Sequence, residues 1–119
     1  MKRTGSTNVH LRRLIHKLRK ISRENKAKVW RRVAELLSKP TRDFVEVNIS
    51  KINRYSSEGE TVVVPGKVLG SGELDHSVTV AAWNFSKKAY EKILKKGRAL
   101  TLQELLEENP NGKGVKIIV

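Results

Sequence analysis

The chain has 119 residues, with 25 Lys and Arg against 12 Asp and Glu, a formal net charge of +13 and no cysteine. That length supports one domain, and the missing cysteine excludes disulfides, Cys-ligated zinc and thiol catalysis while fitting a reducing compartment. No stretch has the roughly 20 apolar residues of a membrane span or the pattern of a secretory leader, so a cytoplasmic protein is expected.

In chain order, Met1 to Thr7 reads as a short polar, basic tail. Leu11, Leu14, Ile15, Leu18 and Ile21 then recur at helical spacing, which predicts an amphipathic helix with Arg12, Arg13, His16, Arg19, Lys20 and Arg23 on the opposite side. A second helix, joined around Ser22 to Asn25, repeats the arrangement. Ala27, Trp30, Val33, Ala34 and Leu37 form its apolar stripe, Lys28, Arg31, Arg32 and Lys39 lie behind, and Pro40 stops it.

The texture then changes. Phe44–Asn48, Thr61–Pro65 and Ser77–Trp83 read as strands, with a short helix over Ile49, Ile52 and Tyr55 capped at Asn48 or Ser50. Gly66 and Gly70-Ser71-Gly72 predict a turn around Lys67-Val68-Leu69. Ser86 is positioned to cap a helix over Lys87–Lys96 that buries Ala89, Tyr90, Ile93 and Leu94, with Gly97 as its stop. Thr101 and Glu104 have capping-box spacing for a helix ended by Pro110 and Gly112, and Val115–Val119 reads as a last strand. The class is mixed α/β.

The charge is unevenly placed. Residues 1–42 hold 14 Lys and Arg against 2 Glu, and eight of the ten arginines, whereas residues 43–119 hold 11 against 10. With Glu24 and Glu35 as their only acids, the two basic helices cannot neutralise themselves through pairs four residues apart. Clustered guanidinium groups match phosphate, so a polyanion, and nucleic acid first, is the expected partner. Two alternatives remain. A basic amphipathic helix also suits an anionic membrane surface or a partner protein, and Trp30 fits that weakly. A helix-turn-helix DNA reader fits less well, because the link has no Gly and the second helix offers no Asn or Gln to read base edges.

Other constellations carry little chemistry. Gly70-x-Gly72 lacks the remainder of either nucleotide-binding motif, so it reads as a turn, with Lys67 alongside should its backbone approach phosphate. His10 and His16 do not share the i, i+4 spacing of a helical metal site. Asp75 beside His76 suggests an acid-base pair, but neighbours in a turn seldom face one another and no nucleophile is identifiable. Glu104, Glu107 and Glu108 read as a solvated, capped helix face rather than a cation site.

Several motifs together resemble a known family. Ser38-Lys-Pro-Thr-Arg-Asp43, Val47-Asn-Ile-Ser-Lys-Ile52, Lys67-Val-Leu-Gly-Ser-Gly-Glu-Leu74, Val78-Thr-Val-Ala-Ala82, Phe85-Ser86 before a Lys-rich helix, and the ending Leu102–Val119 are similar to the archaeal and eukaryotic large-subunit ribosomal protein eighteen, whose bacterial relative is protein fifteen. One departure is Arg98 after Gly97, where many relatives have a second Gly. The resemblance implies an irregular superhelix of β-β-α turns preceded by a basic helical extension. It also implies a structural, non-catalytic role in the large subunit, with ribosomal RNA and neighbouring large-subunit proteins as partners. No cofactor, metal, membrane or small-molecule substrate is implied.

The expected organisation is therefore a basic helical RNA-binding extension over residues 1–42 and a mixed α/β globular domain over 43–119, some docking of the two being needed because the latter alone is near the size at which one core becomes marginal. Arg12, Arg13, Arg19, Lys20, Arg23, Lys28, Arg31 and Arg32 are the expected phosphate contacts, with Lys39 and Arg42 at the junction and Lys67 in the body. Such contacts position a protein on RNA rather than read its sequence.

Overall fold

The computed structural model describes residues 6–40 and 43–119. Two helices come first, α1 (Ser6–Asn25) and α2 (Lys28–Leu37). The remainder alternates strands and helices: β1 (Val45–Asn48), α3 (Ile49–Tyr55), β2 (Thr61–Leu69), β3 (Thr79–Phe85), α4 (Lys87–Lys96), β4 (Arg98–Thr101), α5 (Leu102–Glu108) and β5 (Val115–Ile117). Local chemistry sets several boundaries. The Ser86 hydroxyl accepts from the Ala89 N–H at 3.1 Å to start α4. At α5, Thr101 Oγ1 accepts from Glu104 N–H while Glu104 Oε1 accepts from Thr101 N–H, a complete capping box.

All five strands run parallel, in the order β1-β2-β3-β4, with β5 also on β2. The long strand β2 uses one edge twice. Its Thr61–Val63 half pairs with β5 and its Gly66–Leu69 half with β1, while β3 takes the other edge. Between the halves, at Pro65-Gly66, the register with β3 slips. Pro65 has no N–H to give a ladder, so it is tolerated at such a bulge. Gly66 is required by close approach, because a Cβ there would lie 2.1 Å from the Val45 carbonyl oxygen.

Buried on both faces, the sheet is apolar at successive positions, as parallel sheets must be. Val63, Ala81 and Leu100 pack against Leu14, Leu18, Trp30, Val33, Ala34 and Leu37 of α1 and α2 and against Leu102, Leu105 and Leu106 of α5. Val62, Val64, Val80 and Ala82 face the other way, onto Ile49 and Ile52 of α3 and Ala89 and Ile93 of α4. The result is three layers. From β1 to β4 the chain advances strand by strand, with its connections on the α3–α4 side. It then returns from β4 to β5 by way of α5 on the opposite side, the change of face that a constant crossover hand demands when the direction of travel reverses.

The α/β class is the expected one, but details differ, among them β4, a strand the sequence did not signal. Helix α1 begins at Ser6, inside the stretch read as a tail. It also continues through Asn25, so the link to α2 is Lys26-Ala27 rather than Ser22 to Asn25. Lys67–Leu69 is strand, not turn, because the bulge lets β2 pass Pro65-Gly66 without ending. The third strand is displaced by two residues, to Thr79–Phe85. On α4 only Ala89 and Ile93 are buried: they lie four apart on one narrow contact line, while Tyr90 and Leu94 are a further ~100° round and remain 45% and 50% exposed.

Candidate nucleic-acid interface

The basic helices are held as a hairpin by a tight link. Lys26 adopts φ +53°, reversing the chain. The Ala27 N–H donates to Ser22 O at 3.0 Å and the buried Ser22 hydroxyl donates to Ala27 O at 2.8 Å, so the turn closes on itself. Ten-residue α2 would be marginal alone. Its stability comes from burying Trp30, Val33, Ala34 and Leu37; Trp30 is 0% exposed, and its indole N–H donates to Pro110 O at 2.9 Å, tying the hairpin to the segment between α5 and β5.

With the apolar stripes turned to the sheet, the cations turn outward. Arg12, Arg13, Arg19, Lys20, Arg23, Lys28, Arg31, Arg32 and Lys39 are all exposed, and among the described residues none of them forms an ion pair. Arg12, His16, Arg19 and Arg23 recur at i, i+4, i+7 and i+11, which places them in one row along α1. That row borders α2. A cleft of about 420 Å³ between the helices is lined by Arg19, Ser22, Arg23, Arg31 and Glu35, and a neighbouring one of about 350 Å³ by Arg12, Ile15, His16, Arg19 and Ser38. Arg19 belongs to both, and its guanidinium donates to Ser38 Oγ at 3.2 Å. Four arginines are thus gathered along one groove.

Two expected contacts stand apart from it. Arg42 lies outside the described residues. Lys67 is on β2, in register with Glu46 of β1 and Asn84 of β3, and lines neither cleft. Lys17, which was not singled out from the sequence, sits on the other flank of α1, where its ammonium is 3.7 Å from Glu107 of α5. Only the packing of α1 beside α5 reveals that pair.

The remaining candidates resolve into structural roles. Asp75 and His76 do face one another, contrary to expectation: Nδ1 is 2.8 Å from Asp75 Oδ1, and Nε2 is 2.9 Å from Ser56 Oγ. This has the outline of a Ser-His-Asp relay but not its chemistry. The Ser56 hydroxyl has one proton and donates it to Ile52 O at 2.6 Å, which ties it to the end of α3 as a cap rather than presenting it as a nucleophile. The His76 hydrogen bond, helped by Asn53, holds the Asp75 carboxyl below its ordinary pKa. Glu60 is lowered likewise by the Ser57 N–H and then by Lys116.

The glycine loop presents carbonyls rather than N–H groups. Ser71 O accepts from Ser50 N–H at 3.0 Å, while Gly70 O and Gly72 O accept from Lys92 Nζ at 2.8 and 2.7 Å. The glutamates of α5 are each engaged separately: Glu104 in its cap, Glu107 with Lys17, and Glu108 with Arg98 at 2.6 Å, which raises the Arg98 pKa further. Among the described residues no cluster of His, Asp or Glu could hold a metal ion, and no helix is long and apolar enough to cross a membrane.

Comparison with known proteins gives the family. Residues 1–119 match the family model described as ribosomal protein 60S L18 and 50S L18e. The chain belongs to this family. It is 55% identical over 113 residues to the large ribosomal subunit protein eL18 of Methanoregula boonei, covering 94% of this chain and 93% of that one. It is 52% identical to the proteins of the same name from Methanosphaerula palustris, covering 98% and 97%, and Methanothermobacter thermautotrophicus, covering 99% and 98%. The L18/L18e family is one of ribosomal structural proteins and not of enzymes. The family resemblance read from the ordered motifs therefore holds across the whole chain.

Proposed function

We propose that this protein is a structural constituent of the large ribosomal subunit in the cytoplasm, that it binds ribosomal RNA through the outer face of the α1–α2 hairpin, and that it thereby supports subunit assembly and translation. The observation that carries this is the groove in which Arg12, Arg19, Arg23 and Arg31 gather, exposed and without ion-pair partners among the described residues. Arg13, Lys20, Lys28 and Arg32 are exposed on the same two helices, and Lys39, Arg42 and Lys67 add charge at the junction and in the body. Guanidinium groups in a row suit successive phosphates. A membrane-surface role is disfavoured, because Trp30, the residue that could have anchored in a bilayer, is fully buried and hydrogen-bonded.

Co-sedimentation with large subunits after a high-salt wash tests this reading. Wild-type protein is expected to remain with the subunit, and an Arg19→Glu/Arg23→Glu/Arg31→Glu variant of unchanged melting temperature to wash off. Retention of that variant would move the RNA contact elsewhere. Charge reversal is preferable to deleting residues 1–42, because deletion would also strip Leu14, Leu18, Trp30 and Val33 from the core.

A further inference from the structure

Helix α4 carries five lysines and one glutamate, KKAYEKILKK, on the side of the sheet away from α1 and α2. Docking uses little of it, since Ala89 and Ile93 are its buried residues. One lysine is committed to the fold: Lys92 donates to the Gly70 and Gly72 carbonyls and pairs with Glu73 at 3.1 Å. The other four, Lys87, Lys88, Lys95 and Lys96, are exposed, and among the described residues none forms an ion pair, even with Glu91 on the same helix. Between the two lysine pairs, which are about 12 Å apart along the axis, Tyr90 and Leu94 stay half exposed, with the Tyr90 ring steadied edge-on against Phe85 at 6.0 Å.

We infer that the outer face of α4 is a second RNA surface, and that the protein holds two separate RNA segments on opposite sides of its sheet. Charge selects the partner. Four ammonium groups outside any ion pair among the described residues, against the single carboxylate of Glu91, leave a net positive face; as point charges they complement phosphates without demanding bidentate geometry, and an exposed tyrosine between them can stack on an unpaired base. Topology supplies the second half. Successive residues of β2 point to opposite faces, Val63 toward the hairpin, Val62 and Val64 toward α3 and α4. The two cationic faces therefore point apart, separated by two layer spacings, on the order of 20 Å. One straight RNA segment cannot lie on both.

This rests on the hairpin being an RNA surface, and crosslinking separates the two claims. The chain has no cysteine, so Lys20→Cys on α1 and Lys95→Cys on α4 each accept a single photo-crosslinker. Each full-length labelled protein is bound to deproteinised large-subunit ribosomal RNA, irradiated, and its crosslinked nucleotides mapped. Both positions are expected to crosslink, at non-overlapping sites. Crosslinks from Lys20→Cys alone would overturn the inference while the hairpin reading stands, and crosslinks from neither would defeat both. Overlapping sites would refute the two-segment claim, as would labelling of a protein but no RNA from Lys95→Cys in assembled subunits. As a companion, replacing Lys87, Lys88, Lys95 and Lys96 by Ala should make log K against log salt shallower by about 3. An unchanged slope in a folded variant would overturn the inference.

Discussion

In α1 and α2 each helix buries one stripe and turns cations outward, whereas β2 and β3 are buried on both faces and carry little charge. The difference separates what folds the protein from what its surface is for. The apolar residues of these two strands are accounted for by packing alone. The outer face of the hairpin is not, because Arg19 with Arg23 and Lys28 with Arg32 place like charges four apart, and Lys20 with Arg23 and Lys28 with Arg31 three apart, each four-apart pair costing about 0.2–0.5 kcal/mol in an isolated helix. Lys20 with Glu24 and Arg31 with Glu35 offset only part of that. A surface that works against its own helix makes sense when a polyanion supplies the missing negative charge.

The largest stability effect should come from the residue that joins the two regions. Trp30→Ala removes a fully buried indole and leaves the Pro110 carbonyl without its donor, so a loss of about 3–5 kcal/mol is expected in urea denaturation. An unchanged midpoint would mean that the hairpin is not docked as described. Next, Gly66→Ala drives a methyl into the Val45 carbonyl where β1 meets β2, for an expected cost of about 1–3 kcal/mol. If thermal melting were unaffected, the bulge would not be the tight point of the sheet.

Smaller effects sharpen the contrast from the sheet side. Thr101→Ala removes one arm of the capping box of α5 and should cost about 1 kcal/mol without touching RNA affinity. A loss of RNA binding there would blur the division between the regions. Smallest is an acid effect. Asp75 and Glu60 titrate below their ordinary values, so the folded protein binds fewer protons than the unfolded chain as acid is added. Their stabilising contribution is complete above about pH 5 and falls as pH drops through the carboxylate range. Carboxyl NMR titration of His76→Asn should show Asp75 moving up toward its ordinary value; no movement would remove the imidazole as the cause.

Much of this architecture was legible in the sequence because it is written locally. Helical periodicity locates the stripes of α1 and α2, and Ser86, Thr101 and Glu104 mark the caps of α4 and α5 without reference to any tertiary contact. What could not be read depends on partners. Four-residue β4 has no alternation long enough to register, and its last residue, Thr101, doubles as the cap of α5. Pro65-Gly66 ordinarily signals an end to a strand, and only the change of neighbour from β5 to β1 explains why β2 continues. The same limit applies to the site. The arginines could be named from the sequence, but their gathering into one groove depends on how α1 lies against α2, as does the separation of Lys67 from that groove.

The most direct test of the hairpin as the RNA surface is the salt dependence of binding to large-subunit ribosomal RNA, for wild type and for Arg19→Gln/Arg23→Gln/Arg31→Gln. With about 6–10 phosphates neutralised, wild-type affinity should fall by about 10³–10⁵ between about 50 and 200 mM salt, and the variant's slope should be shallower by about 3 at unchanged melting temperature. A folded variant with the wild-type slope would contradict the account.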